Sequence, residues 1–186
     1  MEPIILASQS PRRKQLLEWA EISFEVIVSN TDEHYSENMT PPLIAEHIAL
    51  DKAKAVFELT KSDKLILAAD TIVVCDGEIL GKPMDRNHAI ETIQKLSGKT
   101  HEVITGVAML KQSAINVFHE ITEVSFHDLT TDQISFYVDR YEPYDKAGAY
   151  AIQEWIGVVG IREIRGDFYN VMGLPVSKVV QKLHSF

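Results

Sequence analysis

The segment Ser8-Gln9-Ser10-Pro11-Arg12-Arg13-Lys14 sets two hydroxyls and three cations where a strand gives way to a helix. Free N–H groups and the helix dipole make a helix N-terminus partly positive, so cations there are disfavoured by about 0.3–1 kcal/mol each. A bound anion resolves that conflict, because N–H groups, Ser8 and the guanidinium groups of Arg12 and Arg13 can converge on phosphate. A solvated basic turn is the equal alternative, since Arg and Lys side chains also project outward. The chain has neither a P-loop nor a G-x-G-x-x-G fingerprint.

A second candidate is Asp70, delivered with Thr71 at the end of the apolar run Leu65-Ile66-Leu67-Ala68-Ala69. A buried carboxylate is costly unless it is paired, hydrogen-bonded or metal-bound. At a strand end it could hold Mg²⁺ or Mn²⁺ against phosphate oxygens or accept a proton from water; capping a turn is its ordinary role. Glu33, in Asn30-Thr31-Asp32-Glu33-His34, is one acid among several. Lys52 and Lys82 are of a type found mostly on solvated faces, although Gly81 and Pro83 constrain Lys82. Gln153 carries an amide able to donate and accept at a base edge, or simply to lie at the surface. The seven histidines form no H-E-x-x-H pair, Cys75 has no second cysteine, and no G-x-S-x-G elbow occurs. Cys75, after Ile72-Val73-Val74, reads as a packed thiol. The chemistry on offer is cations, carboxylates and polar hydrogen bonders, which suits metal-assisted hydrolysis of a phosphoanhydride.

These residues need a scaffold. The chain of 186 residues is 45% hydrophobic and 24% charged, the mixture of a folded domain. Its net charge of −9 argues against a nucleic-acid polymer as partner, yet a few focused cations can still attract a small anion. No apolar stretch approaches the roughly 20 residues needed to cross a bilayer, so no membrane partner is expected. The N-terminus lacks the pattern of a signal peptide, and a lone cysteine suits a reducing cytoplasm.

Ile4–Ala7 reads as a buried strand, and Ser10-Pro11 as an N-cap and first helical position for a helix bearing Leu16, Leu17 and Ala20. A strand at Phe24–Val28 follows, then a polar loop. Thr40-Pro41-Pro42 opens a long helix with Leu43, Ile44, Ala45, Ile48, Ala49, Ala53, Val56 and Phe57 near helical spacing. Leu65–Val74 is a strand turning at Asp76-Gly77 into Ile79 and Leu80. Asp85 caps a helix that Gly98 stops. Glu102–Leu110 and Ile115–Phe126 are extended, and Thr130 with Gln133 forms a capping box. Asp145–Gln153 is irregular, Val158–Ile164 reads as a strand, and Leu174–Leu183 as a closing helix. The class is α/β with a partly antiparallel sheet, as a single domain over 1–186.

Leu6-Ala7-Ser8-Gln9-Ser10-Pro11-Arg12-Arg13 resembles the opening signature of the Maf-like nucleotide pyrophosphatases, also described as septum formation inhibitors. The likeness continues through Glu33, Asp51-Lys52-Ala53-Lys54-Ala55, Ala69-Asp70-Thr71, Gly81-Lys82-Pro83 and Leu96-Ser97-Gly98. It resumes at Asp145-Lys146-Ala147-Gly148-Ala149-Tyr150-Ala151-Ile152-Gln153, at Gly166-Asp167, and at Asn170-Val171-Met172-Gly173-Leu174-Pro175. The resemblance implies a mixed twisted sheet with flanking helices, in two lobes around a central cleft, like that of inosine triphosphate pyrophosphatases.

It implies that Ser8, Arg12, Lys52 and Lys82 engage triphosphate. Glu33 and Asp70 would serve a divalent metal (Mg²⁺, Mn²⁺ or Co²⁺) and the attacking water, with Asp70 as proton acceptor. Arg13, Thr71 and Gln153 match the positions marking the dTTP/UTP branch, so the expected substrates are those two nucleoside triphosphates. One departure stands out: Glu154-Trp155 follows Gln153 where many relatives carry a glycine, at the rim of the base pocket. The alternatives are a 7-methyl-GTP or other modified-purine pyrophosphatase, and a nucleotide-sensing regulator of septum formation without turnover. A homodimer is expected by analogy alone.

Overall fold

Strand β1 (Ile4–Leu6) is buried at every residue, and two parallel neighbours explain why. It pairs on one side with β2 (Phe24–Val26) and on the other with β3 (Ile66–Cys75), in the register Ile5 to Ile66 and Leu6 to Leu67. Strands covered on both faces read as continuous apolar runs, as Ile4–Leu6 and Ile66–Ala69 do. The computed structural model describes every residue except Met1, Asp32, Glu33, Glu37 and Ser185.

The full hydrogen-bonded order is β2-β1-β3-β5-β6-β7, with β4 (Glu78–Leu80) antiparallel to β3. Here β5 is Thr100–Lys111, β6 is Ala114–Phe126 and β7 is Ile161–Arg165. The architecture is thus a mixed α/β sheet with helices, as the sequence reading expects. Residue contacts divide the chain into two compact units.

The first unit comprises Met1–Thr71, Thr105–Glu120 and Gly173–Phe186. Helix α1 (Pro11–Trp19) starts as expected: the Ser10 hydroxyl accepts from the Arg13 N–H at 3.5 Å, with proline at the first helical position. Helix α2 (Pro41–Thr60) buries Ile44, Ala45, Ile48, Ala49, Ala53 and Val56, the three-and-four spacing of an amphipathic helix. Ala49, Ala53 and Val56 pack on Ile5, Ala7, Ile66, Ala68, Ala108 and Leu110. Small residues let helix and sheet approach closely, and Gly106 marks the limit. A methyl group there would lie 2.2 Å from the carbonyl carbon of Ala45. Helix α7 (Val176–Leu183) closes the unit, burying Val179 and Leu183.

The second unit comprises Ile72–Ile104 and Ile121–Met172. Asp76 and Gly77 both adopt positive φ, 50° and 80°, making the tight hairpin from β3 to β4. Helix α3 (Arg86–Leu96) is capped by Asp85, whose carboxylate accepts from the His88 N–H at 2.9 Å. Helix α4 (Thr131–Tyr141) carries the capping box in full, with Thr130 and Gln133 bonded reciprocally. Cys75 is buried at the end of β3, its thiol 3.8 Å from the Lys95 carbonyl oxygen. Burial, reinforced by Asp76, pushes the thiol up from its ordinary value.

One expected strand begins late. Val158 and Val159 belong to helix α5 (Trp155–Gly160), and β7 starts at Ile161. The Glu154 carbonyl accepts from Gly157 N–H at 2.9 Å and Val158 N–H at 3.3 Å, which winds the segment into a helical turn. Val158 is 81% exposed, so its β-branched side chain has no sheet face to occupy. A short helix α6 (Phe168–Met172) follows β7, within a segment for which the sequence offers no periodic signal.

Candidate functional site

The first unit brings Ser8, Arg13 and Thr71 together. Arg13 is only 9% exposed although it sits in the first turn of a helix rich in cations. Its Nε donates to the Gly173 carbonyl at 2.8 Å, one terminal nitrogen to Ser8 Oγ at 3.1 Å, and the other to Thr71 Oγ1 at 3.1 Å. Thr71 in turn shares a 2.9 Å hydrogen bond with the buried Thr105. The Ser8 hydroxyl also accepts from the Ser10 N–H at 3.2 Å, which fixes the bend between β1 and α1. These three acceptors are neutral oxygens that fix the orientation of the guanidinium. The outward-facing alternative does not hold for Arg13.

The cluster draws on four separate parts of the chain. Ser8 and Arg13 flank the β1–α1 bend, Thr71 lies on β3, Thr105 on β5, and Gly173 precedes α7. Thr105 and Gly173 carry no local mark of their role. Each is recruited by a partner 34 or 160 residues away in sequence.

Immediately before Thr71, Asp70 is buried within β3 and pairs with Lys52 of α2, Nζ to Oδ1 at 2.7 Å. Lys52 stands one position before Ala53, whose side chain packs in the core, so α2 sets the lysine beside the sheet. A single ion-pair contact fixes one carboxylate oxygen and fits the requirement that a buried carboxylate be paired. Arg12 is half-buried on α1 next to Arg13. Glu33, expected to assist a metal, lies outside the described residues.

Lys82 and Gln153 belong to the second unit, and both are exposed. Their two loops are joined by the backbone: the Gly148 N–H donates to the Gly81 carbonyl at 3.2 Å. Gly148 has φ 69°, and a methyl group there would come within 3.0–3.2 Å of the Val73 side chain. Only glycine suits that position. Around it, Ala147–Ala149 form a 3₁₀ turn whose Ala149 is buried with φ 58°.

The segment expected to be irregular is thus closely held. Lys146 is buried, 2.7 Å from Asp145 Oδ1 and 3.7 Å from Glu154 Oε1. Glu154, the residue that departs from the common pattern, accepts a short hydrogen bond from the Tyr137 hydroxyl through its other oxygen.

Nearby in the same unit, His101 is buried, with Nε2 2.8 Å from the Tyr150 hydroxyl and edge-on to the Phe126 and Tyr150 rings. Its Nδ1 has no hydrogen-bond partner among the described residues, and burial lowers the imidazole from about 6.5 to about 4. Burial moves the Tyr150 phenol upward. Both are neutral at pH 7 and act as core.

Among the described residues no cluster of three or more His, Cys, Asp or Glu could hold a metal by itself. Nor does any described helix have the length and apolarity to cross a membrane.

A mixed α/β sheet that cages an arginine and pairs a buried aspartate with lysine is found here in a chain whose relatives are recognisable. The model of the Maf-like protein family matches residues 3–186, and the chain belongs to that family. A protein of Bacillus cereus (strain G9842) called dTTP/UTP pyrophosphatase is 48% identical over 186 residues, covering 100% of this chain and 96% of its own length. One of the same name from Bacillus anthracis (strain CDC 684 / NRRL 3495) is 49% identical over the same span, 96% of its length. Among solved structures, a HAM1 protein from Coxiella burnetii is 16% identical, with a TM-score of 0.49 over 68% of this chain and 73% of that one.

Proposed function

We propose that this chain is a nucleoside triphosphate pyrophosphatase that hydrolyses dTTP and UTP to the monophosphate and pyrophosphate. The observation that carries the reading is the buried Lys52–Asp70 pair on β3, whose next residue, Thr71, accepts from the caged Arg13. The name borne by full-length relatives at 48–49% identity supports the choice of substrates.

In the reaction, a water oxygen attacks the α-phosphorus and the bond from that phosphorus to the bridging oxygen breaks. Asp70 accepts the proton lost by the water. Lys52 holds Oδ1 of Asp70, and Oδ2 would serve as the accepting oxygen. Ser8, Arg12 and Lys52 bind phosphate oxygens, and Lys82 meets the charge that develops on departing pyrophosphate. The exposed Lys82 ammonium is engaged by no acidic partner among the described residues, as such a role requires. Arg13, Thr71 and Gln153 select the pyrimidine, the Gln153 amide donating to a ring carbonyl and accepting from the ring N–H.

Asp70, together with Glu33, would hold a divalent cation: Mg²⁺, Mn²⁺ or Co²⁺. A hard cation of this kind binds through one or two carboxylates, water and substrate phosphates, and the buried Asp70 carboxylate is an oxygen ligand of that type. When bound, it neutralises triphosphate charge.

The reading places the protein in the cytoplasm, acting on a small soluble nucleotide rather than on a nucleic-acid polymer or membrane, as a homodimer by family analogy. Its task would be removal of unwanted pyrimidine nucleotides, with a link to division arrest.

The test is incubation of the purified protein with natural and modified nucleoside triphosphates plus Mg²⁺ or Mn²⁺, assaying pyrophosphate and monophosphate. Pyrophosphate from dTTP and UTP but not from GTP or methylated GTP is the expected result. Orthophosphate with the diphosphate as product would overturn the assignment of the broken bond. No turnover of any nucleotide would overturn the enzyme reading.

A further inference from the structure

Gln153 is exposed, and its amide has no hydrogen bond to any described residue, so its aim must be set through the backbone on either side. Both sides lead to one phenol. Tyr137, fully buried on α4 and stacked on Tyr141 at 5.0 Å, accepts from the Ala151 N–H at 3.1 Å. The same hydroxyl donates to Glu154 Oε2. The Glu154 N–H closes the turn onto the Ala151 carbonyl at 3.1 Å, and Lys146 stands 3.7 Å from the remaining Glu154 oxygen. The two flanks of Gln153 are therefore held by the donor and acceptor capacity of a single hydroxyl.

We propose that Tyr137 is a positioning residue for base selection, fixing the Ala151–Glu154 turn so that Gln153 meets the pyrimidine edge in one orientation. The inference rests on the assignment of Gln153 as base reader. A phenylalanine would fill the same core volume, so packing does not require the hydroxyl. A turn released at both flanks lets the amide sample many orientations, and a two-point hydrogen bond to a base edge suffers directly. Glu154 is the second half of the device, because its carboxylate supplies the acceptor that orders the phenol.

The test is calorimetric titration of wild type, Tyr137→Phe, Glu154→Ala, Glu154→Gln, Gln153→Ala and the Tyr137→Phe/Gln153→Ala double variant. The probes are α,β-methylene dTTP and α,β-methylene dGTP, and the binding is read independently of turnover. Tyr137→Phe and Glu154→Ala are expected to weaken dTTP-analogue binding about tenfold while leaving the dGTP analogue within about twofold. Glu154→Gln, whose amide oxygen still accepts from the phenol, retains wild-type selectivity. The double variant binds no more weakly than Gln153→Ala, because both changes remove the same contact.

A wild-type selectivity ratio in Tyr137→Phe beside a lost one in Gln153→Ala overturns the proposal. So does equal weakening of both analogues, or additivity in the double variant. An unchanged ratio in Gln153→Ala removes the base reader and the inference with it. Selective analogue binding without release of pyrophosphate from dTTP would instead overturn only the hydrolytic reading.

Discussion

Lys52 Nζ and Asp70 Oδ1 lie 2.7 Å apart, with the two side chains only 20% and 13% exposed. The pair joins the middle of a twenty-residue helix to the central part of a ten-residue strand. Replacing Asp70 by Asn keeps an oxygen for the lysine and removes the proton acceptor. Turnover is expected to fall by at least about 10²–10⁴-fold, the contribution of a general base. The circular dichroism spectrum should be unchanged. Near-normal pyrophosphate release would remove Asp70 from its role.

Arg13 offers a different kind of test, since its geometry and its charge can be separated. Arg13→Lys keeps the cation and cannot reach Ser8, Thr71 and Gly173 together. Buried acceptors left without donors cost about 1–3 kcal/mol in total stability. Thermal unfolding should shift down accordingly, and the preference for dTTP over GTP should narrow. An unchanged melting temperature would show that the cage is dispensable.

Much of this arrangement is legible before any coordinates. The Ser10 cap, the Thr130–Gln133 box and the Asp76-Gly77 hairpin are local devices, complete within a few residues, so their residue types announce them. Asp70 is legible because an apolar strand delivers a carboxylate. What stays hidden is whatever depends on distant partners. Arg13 reads equally as a solvated or a phosphate-facing cation, and partners far along the chain, Thr71 and Gly173, hold it in its buried place. Val158 and Val159 have strand composition, yet a captured Glu154 carbonyl makes them helical. Tyr137 looks like one apolar position of α4, and nothing near it in sequence marks the hydroxyl as bonded to Ala151 and Glu154.

Gly106 provides a stability prediction with no chemical component. A Cβ at this position would meet the Ala45 carbonyl carbon at 2.2 Å and the Glu46 nitrogen at 2.4 Å, both backbone atoms of α2. Helix and strand must separate, and overpacking of this kind costs about 1–3 kcal/mol or more. Gly106→Ala is therefore expected to lower the midpoint of urea denaturation with little change in slope. A midpoint equal to wild type would mean that α2 and β5 can move apart freely.

His101 predicts a pH dependence whose sign follows from its neutral burial. The unfolded imidazole takes up a proton near pH 6.5, whereas the folded one resists until about 4. Between those values the unfolded chain binds more protons, so acidification favours unfolding, by up to roughly 3 kcal/mol. Above pH 6.5 the effect vanishes, and below about 4 it levels off. His101→Gln, which can still bond to Tyr150, should lose melting temperature less steeply from pH 6.5 to 4.5 than wild type. Parallel slopes would exclude His101 as the acid-sensitive group.

The burial of Cys75 gives the molecule a practical property. Its one thiol is shielded at a strand end with its proton held tightly, so alkylating dyes and spin labels at neutral pH find little thiolate to react with. A cysteine introduced at Met84, which is 86% exposed two residues beyond Lys82, would become the single reactive handle without removal of the native one. The chain is in effect already prepared for site-specific spectroscopy, and a reporter at that place would test whether nucleotide reaches the Lys82 loop.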